Sequence, residues 1–311
     1  MTHQDRKSKR GDDLVLQPDD LQILRLLSKE FLLLTNEQIY QLFPTRPPRA
    51  LNRRLANMVR RGLLHLRYPG TFVAAAPRRL YYVTPKAAEA LPATSSADQL
   101  RFRSRRARDF TDTDLPHLIF ANFVQIKFHI AASTYPDYQL QKWIPQYSSL
   151  WSNLATSHFS VQPDGFAKLQ KAGRTFLYFI EVDRSTYRGK HLDKRLSFYA
   201  NYAFASHNPP DFKHPRFRVL FITEMGRRAT ELLTRLRNHH PDLFWVASWN
   251  EFSSHPLFHP YWRTCASSRL HALDDPYVLP SLLPYPPSPS SPIVSGDDHT
   301  DIKYTFTRNA T

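Results

Sequence analysis

Apolar positions change their period along the chain. Near the N-terminus they recur at helical spacing; from about residue 140 they gather into short continuous runs. Leu21, Leu24, Leu27 and Phe31 lie three or four apart and predict a helix opened by Pro18. A proline is tolerated there because the first-turn N–H has no helical partner, and Asp19 and Asp20 suit the positive end of the helix dipole. Thr35-Asn-Glu-Gln38 has the form of a capping box and predicts a short second helix, Glu37 to Phe43. After Pro44 and Pro47 a third helix is expected from Pro48 to Arg61, with Leu51, Leu55, Met58 and Val59 as its apolar stripe and Gly62 as its stop. Leu63 to Arg67 and Arg79 to Thr84 read as two strands around a loop, closed by a short helix from Lys86 to Leu91. Helix, turn, helix and two strands predict a winged helix-turn-helix over residues 18–92.

The second half predicts a long helix (Leu115 to Ser133) and three strands (Leu140 to Gln146, Ser160 to Leu169, Thr175 to Asp183). A helix (Gly189 to Phe204), a strand (Arg218 to Thr223), a helix (Gly226 to Asn238) and a last strand (Leu243 to Trp249) follow. Three consecutive strands followed by αβ crossovers imply a mixed sheet flanked by helices, over residues 113–252. The expected fold class is α+β or α/β. Residues 1–17 read as a disordered basic N-terminus, 93–112 as a basic linker, and 253–311 as a largely irregular Pro/Ser-rich tail. Seven prolines fall between Asp274 and Pro292.

Charge sharpens this picture. Hydrophobic content of 41% and charged content of 22% are those of a globular protein, but the net charge of +15 is unevenly spread. Arg46 to Arg108 holds fifteen Arg or Lys against two acids, Glu89 and Asp98. A block that basic is the footprint of phosphate binding. On the third helix Arg49, Asn52, Arg53, Arg60 and Arg61 lie largely away from the apolar stripe, where a recognition helix meets a major groove. Arg79, and Arg105 and Arg106 in the linker, add candidate phosphate contacts. The implied partner is double-stranded DNA; the competing reading is a three-helix protein-interaction domain with a solvated basic face. No run of eighteen apolar residues argues for a membrane, and the first residues carry no signal-peptide core. The single Cys265 excludes a disulfide framework and a Cys-based zinc site and fits a cytoplasmic protein. No His-x-His pair and no Walker-type glycine loop occur, which disfavours a His-x-His relaxase and an ATP-driven engine.

Three acids stand out. Pro163-Asp164-Gly165 is followed by the apolar run Phe176 to Ile180 and then by Glu181-Val182-Asp183. Side chains alternate along a strand, so Glu181 and Asp183 share a face. If the two strands pair as a hairpin, Asp164 joins them, and three hard oxygen donors suit Mg²⁺ or Mn²⁺. The competing reading is solvated strand-end acids that cap a helix.

This order of elements, with Pro-Asp at the second strand and an acid at the end of the third, resembles the PD-(D/E)xK restriction-endonuclease-like fold. The resemblance implies Asp164 and Glu181 as metal ligands, with Asp183 assisting, and a lysine that helps activate water. Asp183 stands where that lysine is expected; Lys190 and Lys194, four apart on the next helix, are the candidates to replace it. Over residues 18–250 the chain also resembles the bacterial replication-relaxation proteins of plasmids and other mobile elements. The match rests on the winged helix, on His117 with Asn122, and on Pro163-Asp-Gly, Glu181-Val-Asp-Arg-Ser-Thr186 and Lys194-Arg-Leu-Ser-Phe-Tyr199. That family implies a DNA-binding protein of replication or relaxation. Two forms stay open: a Mg-dependent strand-cleaving enzyme, or a non-catalytic regulator or accessory factor on a degenerate nuclease fold. Replication or transfer proteins are the implied protein partners.

Overall fold

The computed structural model describes residues 15–70, 79–91, 95–148, 150–151, 161–184, 189–204, 217–237 and 243–275. The N-terminal arm before residue 15 and the proline cluster after residue 275 lie outside the described residues.

The first layer is α1 (Pro18–Lys29), β1 (Leu34–Thr35), α2 (Asn36–Leu42), α3 (Pro48–Arg60), β2 (Leu64–Arg67), β3 (Leu80–Val83) and a 3₁₀ helix (Pro85–Ala90). The strands form an antiparallel sheet in the order β1-β3-β2. The expected capping box is present on α2, where Thr35 accepts from the Gln38 N–H and Gln38 from the Thr35 N–H. Leu51, Leu55 and Met58 of α3 are buried with Ile23, Leu24 and Leu27 of α1 and Ile39 of α2. This is winged-helix topology.

The 93–112 segment expected as a linker holds a helix instead, α4 (Ala97–Asp109). Ser96 and Gln99 cap its start reciprocally, and Leu100 and Ala107, seven apart, are buried. Between them Arg103 donates to the backbone oxygens of Leu27 and Phe31, the latter at 2.8 Å. One arginine of the charge run is therefore spent on the fold.

The second layer is α5 (Leu115–Thr134), β4 (Tyr138–Pro145), β5 (Gly165–Lys171), β6 (Arg174–Asp183), α6 (Lys190–Phe204), β7 (Arg218–Thr223), α7 (Gly226–Leu236), β8 (Phe244–Ser248) and α8 (Trp249–Ser254). The five strands run β4-β5-β6-β7-β8, antiparallel through β6 and parallel from β6 to β8. This mixed sheet makes the chain α+β. Alternation along β6 sends Phe176, Tyr178, Ile180 and Val182 toward α5, and Leu177 and Phe179 toward α6 and α7.

The tail expected from residue 253 begins later than its composition suggests. Leu257, Tyr261, Trp262 and Leu273 are buried in the core on the α5 side, and Trp262 is fully buried. Arg263 bridges to Val246 and His271 to Trp262. Buried Arg218 holds the segment's end by donating to the oxygens of Leu273 and, at 2.6 Å, Asp275. The last strand ends at Ser248, whose side chain caps α8 by accepting from the Glu251 N–H.

The winged helix docks on α5. Gln38 donates to the Ile119 oxygen and Asn122 to the Leu33 oxygen, both at 2.8 Å. Leu32, Leu33, Leu80 and Tyr82 pack with Leu115, Leu118 and Ile119. The described residues all belong to one compact unit. No helix among them is long and apolar enough to cross a membrane.

Candidate functional site

The three acids sit at the carboxyl end of β6 and all are buried. The turn into β5 places Asp164 beside this end, because its N–H bonds the Ile180 oxygen at 3.0 Å and Gly165 pairs with Ile180. One Asp164 oxygen accepts from the Val182 N–H at 2.7 Å; the other meets His117 Nε2, from α5, at 2.8 Å. Glu181, on the opposite face, accepts from Arg195 Nη1 with both oxygens at 2.7 Å, and from the Tyr199 hydroxyl. Asp183 accepts from Arg228 Nε of α7 at 2.7 Å. Its Oδ1 is buried with no hydrogen-bond partner among the described residues.

The electrostatics follow from burial and pairing. Burial pushes Glu181 up, and although Arg195 opposes this, the nearby Asp164 charge reinforces it, leaving a pKa of about 7. Asp164 moves the other way: burial opposes ionisation, but His117 and Arg195 outweigh it and its pKa is lowered. His117 is correspondingly raised, because the Asp164 charge and hydrogen bond overcome its own desolvation.

The structure brings Asp164, Glu181 and Asp183 to one end of the sheet but does not bring the lysines to them. Lys190 and Lys194 are exposed. Leu192 and Leu196 define the buried side of α6, and Lys194 lies two residues from each, about 200° round the helix. Arg195 and Tyr199, four apart, flank the buried stripe and reach Glu181 together. The basic residue that α6 gives the site is thus Arg195.

The implied Mg²⁺ or Mn²⁺ can be tested oxygen by oxygen. Both oxygens of Asp164 and both of Glu181 already accept from protein donors, and Asp183 Oδ1 alone is unbonded. A cation shared by Asp164 and Glu181 would compete for their oxygens with His117 and with the Arg195 guanidinium. As arranged, these residues do not fit a metal. Among the described residues no group of three His, Cys, Asp or Glu side chains could hold one.

The candidate DNA contacts divide by exposure. Arg49, Arg53 and Arg60 of α3 are exposed, as are Arg79 and Arg105. Arg61 and Arg106 are half-buried, and Asn52 is half-buried and accepts from the Tyr40 hydroxyl at 2.7 Å. Arg54 turns inward to buried Asp20, with Nε at 2.6 Å from Oδ1.

Four residues of the acid site were not assigned to it from the sequence: His117, Arg195, Tyr199 and Arg228. Arg195 and Tyr199 were open to detection, because their spacing puts both beside the apolar stripe of α6. His117 was marked only by the family resemblance, not as a partner of Asp164, and Arg228 carries no such local signal.

A winged helix docked on a five-stranded mixed sheet, with an ion-paired acid cluster at one end of that sheet, defines the class of this protein. The chain belongs to the replication-relaxation family, which it matches over residues 24–213, more than half its length. It is also similar, at 20% identity and a TM-score of 0.23, to the structure of a protein with a GntR superfamily winged-helix-turn-helix domain from Halomicrobium mukohataei. That alignment covers 34% of this chain and 76% of the other. A likeness of that degree carries no argument about function. No curated protein matches the chain.

Proposed function

We propose that this replication-relaxation protein binds duplex DNA of a plasmid or other mobile element through α3, and that its mixed-sheet domain is a non-cleaving scaffold. The observation that carries the DNA reading is how α3 sorts its arginines. Arg54 is neutralised internally by Asp20, whereas Arg49, Arg53 and Arg60 remain on the solvent side. Cations kept outside on the second helix of a helix-turn-helix suit phosphates and base edges in a major groove. The protein acts in the cytoplasm alongside replication or transfer proteins. The test is duplex binding measured across a salt series. Arg49→Ala and Arg53→Ala each weaken binding and lower the slope of log K against log salt by roughly 0.9 for every phosphate no longer neutralised. Binding indifferent to both substitutions overturns the assignment.

One observation favours a second reading, a Mg-dependent endodeoxyribonuclease that nicks DNA. Asp164 and Glu181 are close enough for one charge to raise the pKa of the other, as in a carboxylate pair that shares a cation. On that reading Asp164, Glu181 and Asp183 would hold the metal only after giving up their His117, Arg195 and Arg228 partners, and Lys190 or Lys194 would have to come round from the exposed face of α6. Supercoiled plasmid incubated with Mg²⁺ or Mn²⁺ separates the two readings. The scaffold reading expects no nicking; metal-dependent nicking abolished in Asp164→Ala and Glu181→Ala establishes the nuclease.

A further inference from the structure

We propose that the groove between α4, β2 and the 3₁₀ helix is a separate site for single-stranded DNA, in which an unpaired base stacks on Phe102 and phosphates meet Arg101, Arg105 and Arg108. The groove has a cavity volume of about 540 Å³, and His65, Pro85, Ser104 and the acid Asp98 complete its lining. It rests on the proposed function only in taking the ligand to be DNA, and it uses none of the α3 residues.

The helix presents two unlike faces. Leu100 and Ala107 are buried, and Arg103 is tied to the backbone of residues 27 and 31. On the outer side Arg101, Arg105 and Arg108 follow one another four and three residues apart, which keeps them on one face. Arg101 is held by Asp98 at 2.7 Å, and the nearest acid to Arg108 is Asp109 at 4.0 Å. Arg105 has no ion pair among the described residues, so the groove keeps a net positive charge.

Phe102 decides the ligand. It is 63% exposed, three residues from Arg105 and so beside it on the helix. A lone exposed aromatic is ordinary; one set among three guanidinium groups in a groove is not explained by packing or by solubility. A duplex backbone engages cations alone and leaves such a ring idle. An unpaired base offers a π-face, and a basic groove with a stacking aromatic is how strands without pairing are held. His65, whose ring lies 4.9 Å from that of Tyr82, supplies a second aromatic wall. Burial and the Arg108 charge lower its pKa, so the ring is neutral at pH 7.

The experiment compares binding of a labelled oligothymidylate and a labelled blunt-ended two-strand duplex to the full chain by fluorescence anisotropy. Phe102→Ala is expected to weaken oligothymidylate binding roughly 5- to 150-fold, the worth of one stacked base, and to leave duplex binding unchanged. Phe102→Trp restores it. Arg105→Ala weakens it and lowers the salt slope by roughly 0.7. Phe102 and Arg105 are exposed, so these variants keep the wild-type melting temperature. The proposal is overturned if the wild type does not bind oligothymidylate, or if Phe102→Ala leaves that binding intact. It is equally overturned if Phe102→Ala weakens both ligands alike, which makes the groove a duplex-backbone contact. Arg53→Ala keeps the two inferences apart: duplex binding insensitive to Arg53 with Phe102-dependent oligothymidylate binding sinks the α3 assignment and leaves the groove standing.

Discussion

Replacing Glu181 with glutamine should change how stability responds to pH. Glu181 is fully buried and its pKa is raised from 4.5 to about 7. The native state therefore holds a proton that the unfolded chain has already lost between these values. A group with a raised native pKa gives stability that is present in full below its unfolded pKa and lost as pH climbs through the folded one. The wild type should weaken between about pH 4.5 and 7, by up to ~1.4 kcal/mol per pH unit and about 3 kcal/mol in all. At roughly 2–4 °C per kcal/mol for a domain of this size, that is a fall of order 10 °C in melting temperature. Asp164, whose pKa is lowered, contributes with the opposite sign, but its contribution is lost only as pH falls below about 4. His117, raised above 6.5, adds to the decline at the upper end of the window and remains in the variant. Glu181→Gln removes one titration and keeps a carbonyl for Arg195. Its absolute stability is lower, but its curve is flatter between pH 4.5 and 7. Thermal melts of both proteins at half-unit steps from pH 4.5 to 8 measure the difference. Parallel curves through that window, or a wild type that gains on the variant as pH rises, would refute the reasoning and place an ionised Glu181 against Arg195 throughout.

The other predictions concern pairing and packing. Asp20→Ala strands the Arg54 guanidinium and should cost about 3–5 kcal/mol in urea unfolding, while Asp20→Ala with Arg54→Met recovers most of the loss. At pH 8, where Glu181 is ionised, Arg195→Ala leaves that carboxylate without its cation and should cost up to ~3–5 kcal/mol, whereas Lys194→Ala should stay within about 0.5 kcal/mol of wild type; equal effects would contradict their placement on α6. Trp262→Ala should lower stability by about 3–5 kcal/mol, since the side chain is fully buried; a neutral result in chemical denaturation would return residues 255–275 to a passive tail.

What the sequence made legible was set by local pattern. β7 was expected from Arg218 to Thr223 and runs over those residues, because a fully buried parallel strand is a continuous apolar run. α4 was hidden because its charge dominates: five arginines between 101 and 108 resemble a solvated tether, and only Leu100 and Ala107 report the buried side. The packed segment after α8 has no periodicity to find, since Leu257, Trp262 and Leu273 are irregularly spaced and are buried by contact with the sheet. At the acid site the strand positions of Glu181 and Asp183 could be read, and alternation placed them on one face; Asp164, expected within a strand from Ser160, lies instead in the turn just before β5. The partners of these acids could not be read. His117 stands 47 residues from Asp164 and Arg228 45 from Asp183, distances that only the fold closes. The lysine expectation failed for a local reason: Lys190 and Lys194 do share a face of α6, but it is the face opposite Leu192 and Leu196.

The helical character of residues 97–109 alters what the proposed DNA binding would involve. A flexible basic linker would let the winged helix search independently and would contribute charge without geometry. Here Gln38 and Asn122 exchange bonds across the boundary in both directions, each worth a net of about 0.5–1.5 kcal/mol against the same groups in water. Arg103 adds its bonds from α4 to the end of α1 and the residues after it. A duplex at α3 and an unpaired strand in the α4 groove, if bound as proposed, would then be carried by a single body. Binding the first places the second in a fixed frame, and the two affinities combine through effective concentration without any change of shape. A protein built this way would favour DNA that offers a duplex and an unpaired strand together. That is the substrate form that a role in replication or relaxation brings within reach.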